Sequence, residues 1–284
     1  MLELPGAEPF ELRLEGIALH GVAAGDGPLA LLAHGITANA YVFLPLMARL
    51  AGAMRLVSID QRGHGRSGKP PSSYAAADFA GDLAALARHF REPALLIGHS
   101  LGARNALVCG ATTPEVVAGV VAIEFTPYIE TAVFDELDAR VAGGDREFPD
   151  LEAVKSYLRE RYKGLPPDAV DRRAAYSYER SAGGYRPLAD PAAMRQTATG
   201  LREDLAPALT KIRVPTLLVR GAKSRLVSPA AWAKTQALRP DLPAVELAGA
   251  DHYVPEEVHE ALADAIAEFC VSRVVRRAEA RVAK

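Results

Sequence analysis

"LLIGHSLGARNAL", residues 95–107, decides how this chain is to be read. An apolar run leads into it, a helix-forming run leads out, and Gly98-His99-Ser100-Leu101-Gly102 sits at the junction. A buried strand that turns directly into a helix through G-x-S-x-G is the setting of a nucleophile elbow. Such a turn strains the backbone at the serine and crowds its neighbours, so residues without a Cβ belong on either side. It pushes the Ser100 hydroxyl out of the sheet and sets it at a helix start, where unpaired N–H groups favour developing negative charge. The same pentapeptide is also compatible with a tight packing turn, so the reading depends on partners elsewhere in the chain.

Outward from the motif, the chain alternates strands and helices. "LALLAHG" (29–35), "MRLVSID" (54–60), "VVAGVVAIEF" (116–125), "VPTLLVRG" (214–221) and "AVELAGA" (244–250) are short continuous apolar runs. They suit strands buried on both faces of a mostly parallel sheet. Residues 76–90 place Phe79, Leu83, Leu86 and Phe90 at helical spacing, and Val258, Leu262, Ile266 and Phe269 do the same in the closing helix. The opening "ELRLEGIALHGVAAGDG" (11–27) alternates and ends in turn residues, as an antiparallel hairpin does. The expected fold is α/β, an eight-stranded sheet with helices on both faces. From Pro127 to Ala208 the strand signal stops and only helical pieces remain. The expectation is a core domain over 1–126 and 209–284, with 127–208 as a helical cap.

Composition narrows the class. The chain has 284 residues, 49% apolar and 24% charged, with a formal charge of −2. That balance gives no general pull toward nucleic acid or an anionic membrane. No apolar stretch reaches the roughly 18 residues of a membrane span, and the N-terminus lacks the build of a secretory signal. Two cysteines, Cys109 and Cys270, read as thiols of a reducing compartment, so the expected location is the cytoplasm. The tail "VSRVVRRAEARVAK" (271–284) reads as a solvated helix end. The partners expected are a small carboxylate substrate and at most a second copy of the chain, as a homodimer.

An acyl-transfer site also needs oxyanion donors, a base and an acid. His34-Gly35 closes a buried strand, and the N–H groups of Ile36 and Leu101 are the expected oxyanion hole. His34 itself reads as a structural residue of that loop. Of seven histidines, His252 in "VELAGADHYVPEEV" (245–258) has the setting of a base: after the last strand, before the last helix, and after Ser100 in the chain. His99 is expected to point into the scaffold, and Asp60 and Arg62 to brace one another in "DQRGHGRS" (60–67). The acid is the irregular part. "VRGAKSRLVSP" (219–229) carries Lys223, Ser224 and Arg225 where an aspartate is usual in this fold. One strand earlier, Glu124 closes an apolar run, where a carboxylate is costly unless paired or solvated. Glu124 is the expected acid and Asp251 the weaker rival, because adjacent side chains diverge. A strand-end carboxylate that merely bonds the neighbouring loop is the alternative.

Taken together, His34-Gly35, "DQRGHGRS", "GHSLG" and the late Asp251-His252 pair resemble the α/β-hydrolase superfamily from end to end. Within it, "HGIT", "GHSLGARN", "VVAIEFTPYIE", "RPDLP" and "GADHYV" are similar to the amide-cleaving hydrolases of vitamin B6 breakdown. The resemblance implies a cofactor-free serine amidohydrolase acting on a small acetamido dicarboxylate. It also implies an acid on the strand after the nucleophile helix and a basic residue where Arg225 stands. Those hydrolases use aspartate as the acid; this chain has Glu124.

The cap bears on substrate. Val133, Leu137 and Val141 form one stripe with Arg140 at its edge; Leu151, Val154 and Leu158 form another, flanked by Arg161 and Tyr162. Inward arginines call for anionic partners, which a dicarboxylate would supply. The substrate-binding candidates are therefore Arg140, Arg161, Tyr162 and, beside the base, Tyr253; surface pairing with cap acids is the other reading for the arginines. No metal site is expected. An esterase, lactonase or carbon–carbon hydrolase for another small carboxylate would use the same machinery. A ligand receptor built on an inactive hydrolase fold is the non-enzyme alternative. Dehalogenase and epoxide hydrolase chemistry would need a carboxylate nucleophile where Ser100 stands.

Overall fold

The structure is a computed structural model that describes residues 4–275. β1 (Glu8–Leu14) and β2 (Ile17–Ala24) form the opening hairpin, followed by β3 (Leu29–Ala33), α1 (Leu44–Leu50) and β4 (Arg55–Ile59). Then come α2 (Ala76–Phe90), β5 (Ala94–His99), α3 (Leu101–Thr112) and β6 (Val117–Ile123). The excursion from the sheet contains α4 (Thr131–Ala142), α5 (Leu151–Arg161), α6 (Pro167–Tyr176), β7 (Tyr178–Ser181), β8 (Gly184–Pro187) and α7 (Pro191–Gly200). The chain returns through α8 (Ala206–Lys211), β9 (Thr216–Gly221), α9 (Pro229–Leu238) and β10 (Ala244–Leu247), and ends in α10 (Val254–Glu257) and α11 (His259–Phe269). Most of the basic tail lies outside the described residues.

The sheet has eight strands in the order β1-β2-β4-β3-β5-β6-β9-β10. β1 and β2 pair antiparallel, as do β2 and β4; every other neighbouring pair is parallel. β3, β5 and β9 are buried along their whole length, which is why their sequences show no alternation. One face is covered by α2, α3 and α8 with Trp232 of α9, the other by α1 and α11. The predicted core residues Phe79, Leu83, Leu86, Leu262, Ile266 and Phe269 are all buried. No helix among the described residues is long and apolar enough to cross a membrane.

The excursion departs from expectation in two places. The stretch "YERSAGGYRP" (178–187), within the segment expected to hold only helical pieces, is a two-stranded antiparallel hairpin, with Tyr178 paired to Pro187 and Ser181 to Gly184. Its strands are four residues each and neither is fully buried, so they lack the continuous apolarity of the main sheet. The expected boundary at 208 falls inside α8. Leu205 and Leu209 belong to the core cluster beneath α3, so α8 packs with the core.

Candidate active site

The sharp turn at the end of β5 is present as the sequence implies. Ser100 has φ 55°, in the left-handed region that non-glycine residues avoid. A Cβ at Gly98 would run into the Gly102 carbonyl, and one at Gly102 into the Ala33 carbonyl. Here absence of a side chain is what lets β3, β5 and α3 close on one another. Leu101 is the first residue of α3, so its N–H has no carbonyl one turn back within the helix. Across the gap, Gly35 faces the Ser100 side chain, and the following turn is closed by Ala38 N–H on the Gly35 carbonyl. Ile36 and Leu101 both line the cavity into which Ser100 opens.

Histidines hold this frame. His34 is fully buried; its Nε2 accepts the Gln61 N–H at 3.1 Å, which leaves Nδ1–H to donate to the Gly35 carbonyl at 2.7 Å. Burial holds its imidazolium well below the ordinary range. His99 donates from Nε2 to the His252 carbonyl at 2.7 Å and so ties the loop that carries His252 to the strand that leads into Ser100. Asp60 and Arg62 do not brace one another. Asp60 accepts the Ala40 and Arg66 N–H groups at 2.8 and 2.9 Å. Arg62 reaches outward to a two-pronged pair with Asp82 on α2, at 2.7 Å for each bond. A local loop motif does not show that a helix carboxylate stands closer.

Glu124 is 1% exposed and its Oε2 lies 3.0 Å from His252 Nδ1. Its Oε1 accepts the Gly221 N–H at 2.7 Å, and Ser224 Oγ donates to Oε2 at 2.6 Å. Asp251 faces away, accepting the Arg225 N–H at 3.3 Å. Burial pushes the Glu124 carboxyl up, while the Ser224 and Gly221 hydrogen bonds and the Arg220 charge pull it back. Burial, reinforced by the Arg140 charge, pushes the His252 imidazolium down, so the ring is neutral at ordinary pH. A neutral ring that gives its Nδ1 proton to a carboxylate keeps Nε2 as an acceptor, the form a general base requires.

The cavity holds about 300 Å³ and is lined by Ser100, Glu124 and His252 together with Ile36, Arg140, Tyr162 and Tyr253. Three of the four predicted substrate-binding positions, Arg140, Tyr162 and Tyr253, thus line it; Arg161 does not. Arg161 gives its Nη1 protons to the Tyr157 hydroxyl at 2.6 Å and the Arg140 carbonyl at 2.9 Å, and its Nε proton to the Tyr162 hydroxyl at 3.1 Å. It does not line the Ser100 cavity but two neighbouring clefts, one of them shared with Arg140, Tyr162, His252 and Tyr253. Tyr162 also meets Thr37 at 3.1 Å. Burial would raise its phenol, but the Arg161 and Arg173 charges outweigh this and lower it.

Sequence reading missed Arg173. It is 5% exposed, lines the cavity, lies over the rings of Tyr162 and Tyr253, and pairs through Nε and Nη2 with the buried Glu256. Burial works against the charge and Glu256 more than restores it. The signal was available: Val170, Arg173 and Ala174 fall on one helical stripe, and an arginine on a buried stripe needs a partner. Arg104, one turn along α3 from Ser100, also lines the cavity and pairs with Glu203 at 3.1 Å.

Comparison with known proteins agrees with the geometry. The model of the alpha/beta hydrolase family matches residues 30–265. A 2-(acetamidomethylene)succinate hydrolase of Mesorhizobium japonicum is 52% identical over 254 residues, covering 89% of this chain and 91% of the relative. A pimeloyl-(acyl-carrier protein) methyl ester esterase of Stenotrophomonas maltophilia is 31% identical, covering 82% and 89%. Among solved structures, an E-2-(acetamidomethylene)succinate hydrolase superposes with a TM-score of 0.92 at 49% identity, over 94% of this chain and 100% of that one.

Proposed function

This chain belongs to the alpha/beta hydrolase family, and on that basis we propose that it hydrolyses the amide bond of 2-(acetamidomethylene)succinate through a Ser100-His252-Glu124 triad. Ser100 attacks the acetyl carbon while His252 Nε2 takes the hydroxyl proton. The Ile36 and Leu101 N–H groups receive the oxyanion, and Glu124 holds the imidazolium that forms. His252 returns the proton to the departing nitrogen. Water, deprotonated by the same ring, then releases acetate from Ser100. The other product is an enamine dicarboxylic acid; with a further water it breaks down to succinic semialdehyde, ammonia and carbon dioxide.

The observation that carries this reading is the company Ser100 keeps. The cavity that holds the triad also holds Arg140, whose guanidinium pairs with no carboxylate among the described residues. With Arg173 and the hydroxyls of Tyr162 and Tyr253, it makes a cationic wall suited to a substrate carboxylate. In this reading α4 to α7 form the cap, which supplies those groups. Arg161 enters only as the support of Tyr162. Cys109 and Cys270 are unpaired, in keeping with a cytoplasmic enzyme.

The test is release of acetate and ammonia from the acetamido dicarboxylate, beside a panel of simple esters. Wild-type turnover should be abolished in Ser100→Ala, and a fluorophosphonate should label the wild type alone. Turnover of esters with none of the dicarboxylate would replace this reading with that of an esterase; labelling that survives Ser100→Ala would remove the nucleophile.

A further inference from the structure

The turn after β9, Ala222–Ser228, lacks the carboxylate usual there, yet it is not idle. Ser224 is 4% exposed and its Oγ has two partners. It accepts the Val227 N–H at 3.0 Å and lies 2.6 Å from Glu124 Oε2. An amide N–H can only donate, so the hydroxyl's own proton is the one left for the carboxylate. The oxygen that receives it is the same one that faces His252 Nδ1 at 3.0 Å. Gly221 N–H, at the head of the same turn, holds the other oxygen at 2.7 Å. Three donors therefore converge on Glu124, one from the end of β9, one from this turn and one from His252.

The turn is itself pinned from beneath. Arg220, 2% exposed, donates from Nε to the Val227 carbonyl at 2.7 Å and from Nη2 to the Ser224 carbonyl at 3.1 Å, while Nη1 pairs with Glu246. Its guanidinium fixes both ends of the Ser224–Val227 step. A glutamate has one more rotatable bond than an aspartate, so more must be done to aim it. We propose that Ser224 is a positioning residue for the acid: its hydroxyl fixes the rotamer of Glu124 and favours the carboxylate form opposite His252. The inference rests on the triad reading and adds to it the group that aims the acid.

The consequence is read in pH dependence. The charged and titratable groups around Glu124 are Arg220 from β9, and Asp251, His252 and Glu257 from the loop and helix after β10. All of these remain when Ser224 is changed. Loss of one hydroxyl donor to a buried carboxylate disfavours its charged form, so the acid limb of kcat/KM must move to higher pH.

Ser224→Ala should lower kcat about ten- to a hundredfold with KM little changed. It should also move the acid limb up by about one pH unit. Ser224→Thr, which restores the hydroxyl, should bring the limb back. A fall in kcat with the limb unmoved would mean that Ser224 only props the turn, and wild-type kinetics would mean that it does nothing for Glu124; either overturns the proposal. Should Ser224→Ala not fold, Ser224→Cys, a weaker donor, decides on the same limb: raised supports, unmoved overturns. The triad reading stands apart from this, because Ser100 labelling and acetate release by the wild type do not depend on the outcome.

Discussion

Ser100 and Glu124 occupy matching places at the carboxyl ends of neighbouring parallel strands, and both have left-handed backbones, with φ of 55° and 59°. His99 pairs with Ile123 in the register, so the next residue on each strand is the one that turns out of the sheet. Both turns are held by the strand alongside: Ser100 N–H donates to the Ile123 carbonyl and Glu124 N–H to the Val219 carbonyl, each at 2.8 Å. Positive φ at a side-chain-bearing residue costs about 1–3 kcal/mol and persists where the surroundings enforce it. The proposed nucleophile and the proposed acid are thus presented by one device used twice.

Replacing Glu124 by Gln keeps the shape of the side chain and removes its charge. Turnover should fall about 10³- to 10⁴-fold, as when a triad acid is neutralised, with the circular dichroism spectrum unchanged. Activity within tenfold of wild type would take Glu124 out of the mechanism.

The pH profile should rise through the neutral range. Glu124 must be ionised to hold the imidazolium, and burial pushes its carboxyl up to about 8. A group needed in its deprotonated form, with a raised pKa, costs activity as pH falls through that value. His252 is shifted the opposite way and stays neutral across the same range, so no limb at the ordinary histidine value is expected. A single acid limb near 6.5 that persists in Glu124→Gln would contradict this assignment.

Arg140→Ala should raise KM for the dicarboxylate about ten- to a hundredfold while sparing a neutral ester. Arg161→Ala should do less, because its guanidinium does not line the cavity and meets it through the Tyr162 hydroxyl and the Arg140 carbonyl. Steady-state kinetics on both substrate types measure this; equal losses on both would remove the carboxylate contact.

Glu256→Gln leaves Arg173 buried without its carboxylate and should cost about 3–5 kcal/mol in denaturant unfolding. The joint change Arg173→Met with Glu256→Leu should recover much of that stability and none of the dicarboxylate turnover. A destabilised double variant would show that packing, not charge, governs the site.

Gly102→Ala should destabilise the fold by more than about 2 kcal/mol, because the added methyl meets the Ala33 carbonyl and β3 cannot retreat within the sheet. Urea midpoints report it directly; a midpoint equal to wild type would mean that the β3–α3 approach is loose.

The sheet was legible because burial on both faces leaves an unmistakable apolar run, and Ser100 and His252 because strand ends and chain order restrict where they can sit. Glu124 could be read because a carboxylate after seven apolar or small residues of β6 has to be explained. The β7–β8 hairpin could not, since its short, half-buried strands have no pattern to distinguish them from cap loops. The side-chain direction of Arg161 was not legible for a related reason: a helical stripe gives the face on which a residue lies, but not what its long side chain chooses on that face. Ser224 lay in plain view within "VRGAKSRLVSP", where attention to the absent aspartate obscured the hydroxyl beside it.

The ion pair between Arg173 of α6 and Glu256 of α10 also fastens α6 to the closing segment of the chain. Moving α6 away from α10 would separate that buried pair, against a penalty of several kcal/mol. α4 has no such bolt: Val141 is its only buried residue, and its ties through Arg202 to Asp135 and Asp138 lie in solvent. α6 is therefore the more firmly anchored of the two helices beside the cavity, and α4 the less buried.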